Sequence, residues 1–161
     1  MKDKNAPFLS KTKYLDGIKC HKLLWYEYNR KEELPEIDAA TQAIMDQGNR
    51  VGELAHTLFP GGIVLQRDYM PDKQAEKSIE AAKLRKPLFE AGFVYKQAYV
   101  LVDILNPVAK DAWDLIEVKS SSSVKDEHYR DVAFQKYTYE GAGLKIRKCY
   151  LMYINNQYVR K

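Results

Sequence analysis

Between Leu88 and Lys119 the chain carries three runs dense in Val, Ile, Leu, Tyr and Phe, at Leu88 to Tyr95, Gln97 to Leu105 and Ala112 to Lys119. Runs of this length and composition, separated by short polar breaks, read as three successive strands. Asn106-Pro107 is expected to begin the turn between the second and the third. The runs are interrupted by charge in a particular way. Asp103 closes one apolar stretch, and Glu117 and Lys119 stand two apart in the next. Side chains alternate faces along a strand, so Glu117 and Lys119 point the same way. Desolvating an acid and an amine side by side is costly unless they share a task.

The surrounding pattern is helical. Ser10 is expected to cap a helix running to about Asn29, with Tyr14, Ile18, Leu23, Trp25 and Tyr28 apolar and Lys11, Lys13, Lys19, His21 and Lys22 on a basic surface. That surface suits either bulk solvent or a nucleic-acid backbone. Arg30 to Ile37 reads as a loop. Asp38 caps a second helix over Ala39 to Phe59, stopped by Pro60-Gly61-Gly62. Ile63 to Leu65 is a short strand candidate, and Asp72 begins a third helix that ends before Pro87. After the serine run Ser120 to Ser123, a helix is expected from Lys125 to Gly141, then a strand from Lys145 to Ile154. Asn155-Asn156 suggests a hairpin turn into Gln157 to Arg160. Helices, three strands, a helix and further strands make a mixed α/β layer fold.

Bulk properties narrow the class. With 161 residues, 45% hydrophobic and 30% charged, the chain fits one globular domain with its own core. A net charge of +4 is compatible with a polyanionic partner without requiring one. There is no apolar stretch of membrane-spanning length and no signal-peptide pattern, so a soluble cytoplasmic protein is expected, with no membrane partner. The two cysteines, Cys20 and Cys149, form no CxxC pair. The strand-like end Tyr158 to Lys161 is compatible with this being the N-terminal part of a longer protein.

Two carboxylates and a lysine on adjacent strands can hold a hard divalent cation and steer a water, the chemistry of phosphodiester hydrolysis. Four pieces follow one another in order: Gly52-Glu53-Leu54-Ala55-His56, Asp103, Glu117-Val118-Lys119, and Gln135-Lys136-Tyr137-Thr138-Tyr139. As GxxxH, Asp, ExK and QxxxY, they resemble the PD-(D/E)XK nuclease superfamily. Within it they are most similar to the RecB-type nucleases, including the CRISPR-associated iron–sulfur exonucleases. The resemblance runs from Tyr14 to about Ile154. It implies a restriction-endonuclease-like core, a central mixed β-sheet flanked by helices, in a single domain over residues 1–161. It also implies a metal-dependent deoxyribonuclease with an exonucleolytic mode favoured, acting on single-stranded DNA or duplex ends. By that resemblance Asp103, Glu117, His56 and the Val118 carbonyl would hold Mg²⁺ or Mn²⁺. The imidazole ligand would tilt the preference toward Mn²⁺. Lys119 would orient the attacking water, and Gln135 and Tyr139 would steady the nucleophile region or a DNA phosphate.

Cluster-bearing relatives carry a cysteine near the start, usually followed by proline, then a basic residue and an aromatic. Cys20-His21-Lys22 resembles that segment, with His21 where the proline would stand, so Cys20 is a candidate iron–sulfur ligand. The relatives place three more cysteines after the QxxxY helix, whereas this chain offers Cys149 alone, inside an expected strand. Plainer readings stand beside these. His56 could be a packed helix histidine, Glu117 and Lys119 an ion pair on a solvated strand face, and Gln135 and Tyr139 ordinary helix residues. The alternative function is a non-catalytic nucleic-acid-binding module that retains the nuclease fold.

Overall fold

The computed structural model describes residues 7–159. In chain order its elements are β1 (Leu9–Ser10), α1 (Lys11–Lys19), α2 (His21–Asn29), a 3-10 turn (Lys31–Glu33), α3 (Ala39–His56), β2 (Ile63–Val64), α4 (Pro71–Ala82), β3 (Leu88–Tyr95), β4 (Ala98–Pro107), β5 (Ala112–Lys119), α5 (Asp126–Gly141) and β6 (Lys145–Tyr153). The architecture is α/β: one open, mixed, six-stranded sheet flanked by helices. No helix among the described residues is long and apolar enough to cross a membrane.

The sheet order is β2-β3-β4-β5-β6, with β3, β4 and β5 antiparallel and the outer pairs β2-β3 and β5-β6 parallel. β3 pairs along β4 from Ala98 to Leu105, so β4 has one remaining edge to share. Its far end, Ile104 to Pro107, takes β5, and its near end, Ala98 and Tyr99, takes β1. β4 and β5 therefore part beyond the Ile104–Ile116 pair, and β1 with the start of α1 enters the fork. Asp103 lies at the fork on β4 and Glu117 on β5.

Both faces of the sheet are apolar. Leu88, Ala91, Phe93, Val100, Val102, Leu105, Trp113 and Leu115 pack with Phe134 and Tyr139 of α5, whereas Phe89, Ile104 and Ile116 pack with Ala55 of α3. Burial on two faces explains why these strands read as near-continuous apolar runs. Strict alternation breaks at one place. Leu88 and Ala91 belong to the α5 cluster with only Phe89 and Glu90 between them, and Val102 and Leu105 do the same across the ladder. The break falls on Glu90 and Asp103, which the register places opposite each other. Glu90 has φ 57°, the left-handed region that bulky residues avoid. Side chains satisfy the backbone groups around this kink. Gln74 donates to the Glu90 carbonyl (3.0 Å), and Ser78 Oγ accepts from the Gly92 N–H (2.8 Å). The Tyr139 hydroxyl donates to the Ala91 carbonyl and accepts from the Val102 N–H (3.1 Å). Buried backbone groups need such partners.

Five expectations need correction. The helix expected from Ser10 to Asn29 is two helices. Cys20, in extended backbone, ends α1 with its N–H on the Asp16 carbonyl and starts α2 with its sulfur accepting from the Leu23 N–H (3.4 Å). The helices meet closely at Gly17, where a Cβ would stand 2.7 Å from Leu24 Cδ2. Asn106-Pro107 ends β4 rather than opening a turn, because proline at a strand terminus forfeits little pairing. α3 stops at His56, short of Phe59, and α4 starts at Pro71, a residue suited to a helix first turn. Gln157 to Val159 form no strand after the turn, and Arg160 lies outside the described residues.

Candidate functional site

β5 delivers Glu117 and Lys119 to the fork, and α5 brings Asp131 and Gln135, four apart and so on one helix face. The Glu117 side chain is 2% exposed, and its carboxylate is fully engaged. Oε1 accepts from Lys119 Nζ and from Lys11 Nζ, both at 2.7 Å, and Oε2 accepts from Gln135 Nε2 at 2.7 Å. Asp131, equally buried, accepts from Lys119 (2.5 Å) and Gln135 (2.8 Å), with Lys11 Nζ 3.7 Å away. Burial alone would raise the Glu117 pKa, but the two ammonium groups outweigh it and hold the acid down at about 2. Burial pulls both lysines the other way, and the carboxylates overcome it, keeping Lys11 and Lys119 charged above the usual lysine range.

Asp103 sits in a different environment. Its Oδ2 accepts from the Val118 N–H at 2.6 Å, so the side chain replaces a ladder bond where β4 and β5 diverge. Burial, and then the charge of Glu117, push its pKa up to about 7, against the pull of Lys11. Burial also raises Glu90, with Lys11 and Arg67 opposing. The end of α3 sets His56 over this region, its ring stacked on Phe89 at 4.0 Å and 12°. His56 Nε2 is buried and has no hydrogen-bond partner among the described residues. Burial lowers its pKa, against the charge of Glu53 and a hydrogen bond to the Asp103 backbone, which favours the neutral ring. His56, Glu90, Asp103 and Glu53 line one cavity of about 460 Å³ with Gly48, Asn49, Gly52 and Val64. No glycine Cβ would meet anything at Gly48 or Gly52, so the helix leaves that side open.

The structure thus gathers Asp103, Glu117, Lys119 and Gln135 at the fork, with Val118 bonded to Asp103 and His56 lining the same cavity as Asp103. Tyr139 is placed elsewhere. It is completely buried under the sheet with its hydroxyl committed to β3 and β4, so the expectation that it steadies a nucleophile or phosphate is corrected to one of holding the strands beside the site. Gln135 likewise bonds two carboxylates and not solvent. Cys20 is exposed at the α1–α2 junction and Cys149 is half-buried in β6, both as free thiols. Three participants escaped the sequence reading: Lys11, Asp131 and Glu90. Asp131 carried a signal, four residues before Gln135, and Glu90 was an unexplained acid inside an apolar run. Lys11 carried only a weak one, a cation in a helix first turn that Lys13 shares, and was read as one of several basic residues on its helix.

No protein-family model, curated protein or solved structure matches this chain. The donor set at the fork is chemically suited to a divalent cation: two carboxylates and an imidazole nitrogen with no other partner. Among the described residues no three His, Cys, Asp or Glu side chains meet in ligating geometry, and each Glu117 oxygen already holds a protein donor.

Proposed function

We propose that this chain is a metal-dependent deoxyribonuclease of the PD-(D/E)XK type, with a restriction-endonuclease-like core, hydrolysing phosphodiester bonds in DNA with an exonucleolytic mode favoured. The observation that carries the reading is the fork itself. An acid from each diverging strand and a lysine beside one acid meet there, and His56, its Nε2 without a hydrogen-bond partner among the described residues, lines the cavity that Asp103 shares. The ordered resemblance of GxxxH, Asp, ExK and QxxxY supports the same reading. His56 Nε2, Asp103, Glu117 and the Val118 carbonyl would hold Mg²⁺ or Mn²⁺. When bound, such a cation polarises a phosphoryl oxygen and acidifies water. Lys119, fixed between Glu117 and Asp131, orients the attacking water and offsets charge developing on the phosphate. Gln135 fixes the rotamer of Glu117 through Oε2. An iron–sulfur cluster on Cys20 forms no part of this proposal.

The test is degradation of single-stranded and frayed-end duplex DNA by the purified protein in Mn²⁺ and in Mg²⁺. Glu117→Gln and Lys119→Met are expected to lose cleavage by about two orders of magnitude or more while their circular dichroism stays that of the parent. Cleavage at the parental rate by both variants would sink the assignment. DNA binding without cleavage by the parent protein in either metal would favour the non-catalytic reading.

A further inference from the structure

Lys11 is in the wrong place for its helix. It is the first residue of α1, whose first turn contains no acid. A cation there opposes the helix dipole, which favours negative charge at that end. Sequences break a local rule of this kind mostly at sites that serve function. Its ammonium donates to Glu117 Oε1 on β5, a buried acceptor already bonded to Lys119. The two ammonium groups are held unequally. Lys119 has two short bonds, to Glu117 and Asp131, and stands on the same strand as Glu117. Lys11 has one short bond and a 3.7 Å approach to Asp131, with a side-chain exposure like that of Lys119 (23% and 22%). A carboxylate oxygen accepting two ammonium groups has no lone pair left for a cation. A second cavity, about 240 Å³, is lined by Lys11, Ser10, Thr12 and Arg67, with the carboxylates of Glu90 and Asp103 on its wall.

We propose that Lys11 is a resident counter-cation: it occupies Glu117 Oε1 while no divalent cation is bound and gives that oxygen up when one arrives. Its ammonium then turns into the cavity beside Arg67 and the hydroxyls of Ser10 and Thr12, where it meets a phosphate of the substrate strand. The same charge first shields a buried acid and afterwards recognises the polyanion. The exchange is a change of ion pairing and moves no covalent bond. This inference rests on the divalent-cation site proposed above.

Two measurements test it. In the first, the parent protein is treated with an amine-acylating reagent with and without Mn²⁺, at matched ionic strength, and modification of Lys11 is read by peptide mass spectrometry. An ammonium freed from its carboxylate loses the proton more readily and reacts faster, so Lys11 labelling is expected to rise several-fold with Mn²⁺ while Lys119 labelling stays low. In the second, Mn²⁺ binding is measured by calorimetry for the parent, Lys11→Met and Lys11→Gln, the last retaining a hydrogen-bond donor for Glu117. Removing the competing charge is expected to tighten Mn²⁺ binding about tenfold, the scale of one charge-assisted hydrogen bond. Equal Mn²⁺ affinity in all three proteins with unchanged Lys11 labelling would overturn the counter-cation role and leave the metal site standing. No Mn²⁺ binding by any of them at millimolar concentration would overturn both.

Discussion

The two halves of the fork solve the same electrostatic problem in opposite ways. On the β5–α5 side, Glu117 and Asp131 are deeply buried, yet each has its charge met by ammonium groups and its remaining lone pairs met by the Gln135 amide. On the β3–β4–α3 side, Asp103 and Glu90 face each other across a kinked ladder, and burial raises both pKa values. Burial leaves His56 Nε2 with no partner there. Like charges directly opposite on adjacent strands are destabilising, as is a buried polar atom without a hydrogen bond. The first half carries its own ammonium partners, although burial still raises Asp131; in the second, Lys11 and Arg67 only partly offset the burial of Asp103 and Glu90. Asp114, three residues before Glu117, makes the contrast sharper. It is buried as well, but Arg147 grips it with two bonds of 2.9 and 2.5 Å, and it takes no part in the fork. Burial of an acid on β5 is therefore not what marks the site; what marks it is a donor set left open.

The sharpest way to break this comparison is Asp103→Asn. It is expected to lower Mn²⁺-dependent cleavage about a hundredfold or more. It should also stabilise the metal-free protein, because the neutral amide can still accept from the Val118 N–H without bringing a charge next to Glu117. The pH dependence follows from the direction of the shift. Asp103 is raised from 3.8 to about 7, so from pH 4 to pH 7 the unfolded chain gives up a proton that the folded chain keeps. Stability contributed by the protonated acid is lost progressively as pH rises through that window. Glu117 acts in reverse and lower down: its contribution is complete above 4.5 and is lost only as pH falls toward about 2. Glu90 and Asp131 add to the Asp103 trend, and His56, with a lowered pKa, opposes it near 6.5. Thermal melts from pH 5 to 8 should show the parent losing stability relative to Asp103→Asn. Mn²⁺ should restore the parent, more at pH 8 than at pH 5, and leave the variant unmoved. Parallel curves with no metal effect would place the unbalanced charge elsewhere.

How much of this was legible beforehand divides along the line between local and non-local information. β3, β4, β5, α5 and β6 were readable because alternation, apolar runs and glycine stops are written within a few residues. Glu117 with Lys119, and Gln135 with its helix face, were readable for the same reason. Lys11 was not, because its contact with Glu117 spans 106 residues and depends on β1 entering a fork no periodicity describes. The left-handed conformation of Glu90 was invisible because no glycine announces it. The break at Cys20 was missed because cysteine is not a helix breaker; the closure at Gly17 imposes it. Tyr139 was readable as sharing a face with Gln135, but its depth beneath the sheet is a matter of packing.

Tyr139→Phe tests whether the kink, rather than the open donor set, is what the QxxxY helix supports. Removing the hydroxyl strands the buried Ala91 carbonyl and Val102 N–H, a cost of about 1–3 kcal/mol by chemical denaturation. Cleavage should fall less than in Asp103→Asn, through displacement of Glu90 and Asp103 rather than loss of a group that touches substrate. A loss of activity as large as that of Lys119→Met, with stability unchanged, would return Tyr139 to the reacting atoms and blur the division between the two halves.

The smallest expected effect is at Cys20. Its sulfur caps α2 through one long bond to the Leu23 N–H, on an exposed junction away from the fork's charged network. Cys20→Ala is expected to change stability by no more than about 0.5 kcal/mol, as exposed substitutions usually do. It should leave Mn²⁺ binding untouched, because no group of the donor set leans on α2. The informative control is the iron content of the aerobically and anaerobically purified parent protein. A cluster ligand would make Cys20→Ala unstable and bleach an iron–sulfur absorbance, effects far larger than the loss of one weak cap. A colourless parent and a silent substitution would leave the fork as the sole seat of chemistry argued for this chain, and would separate the QxxxY resemblance from the cysteine resemblance that accompanied it.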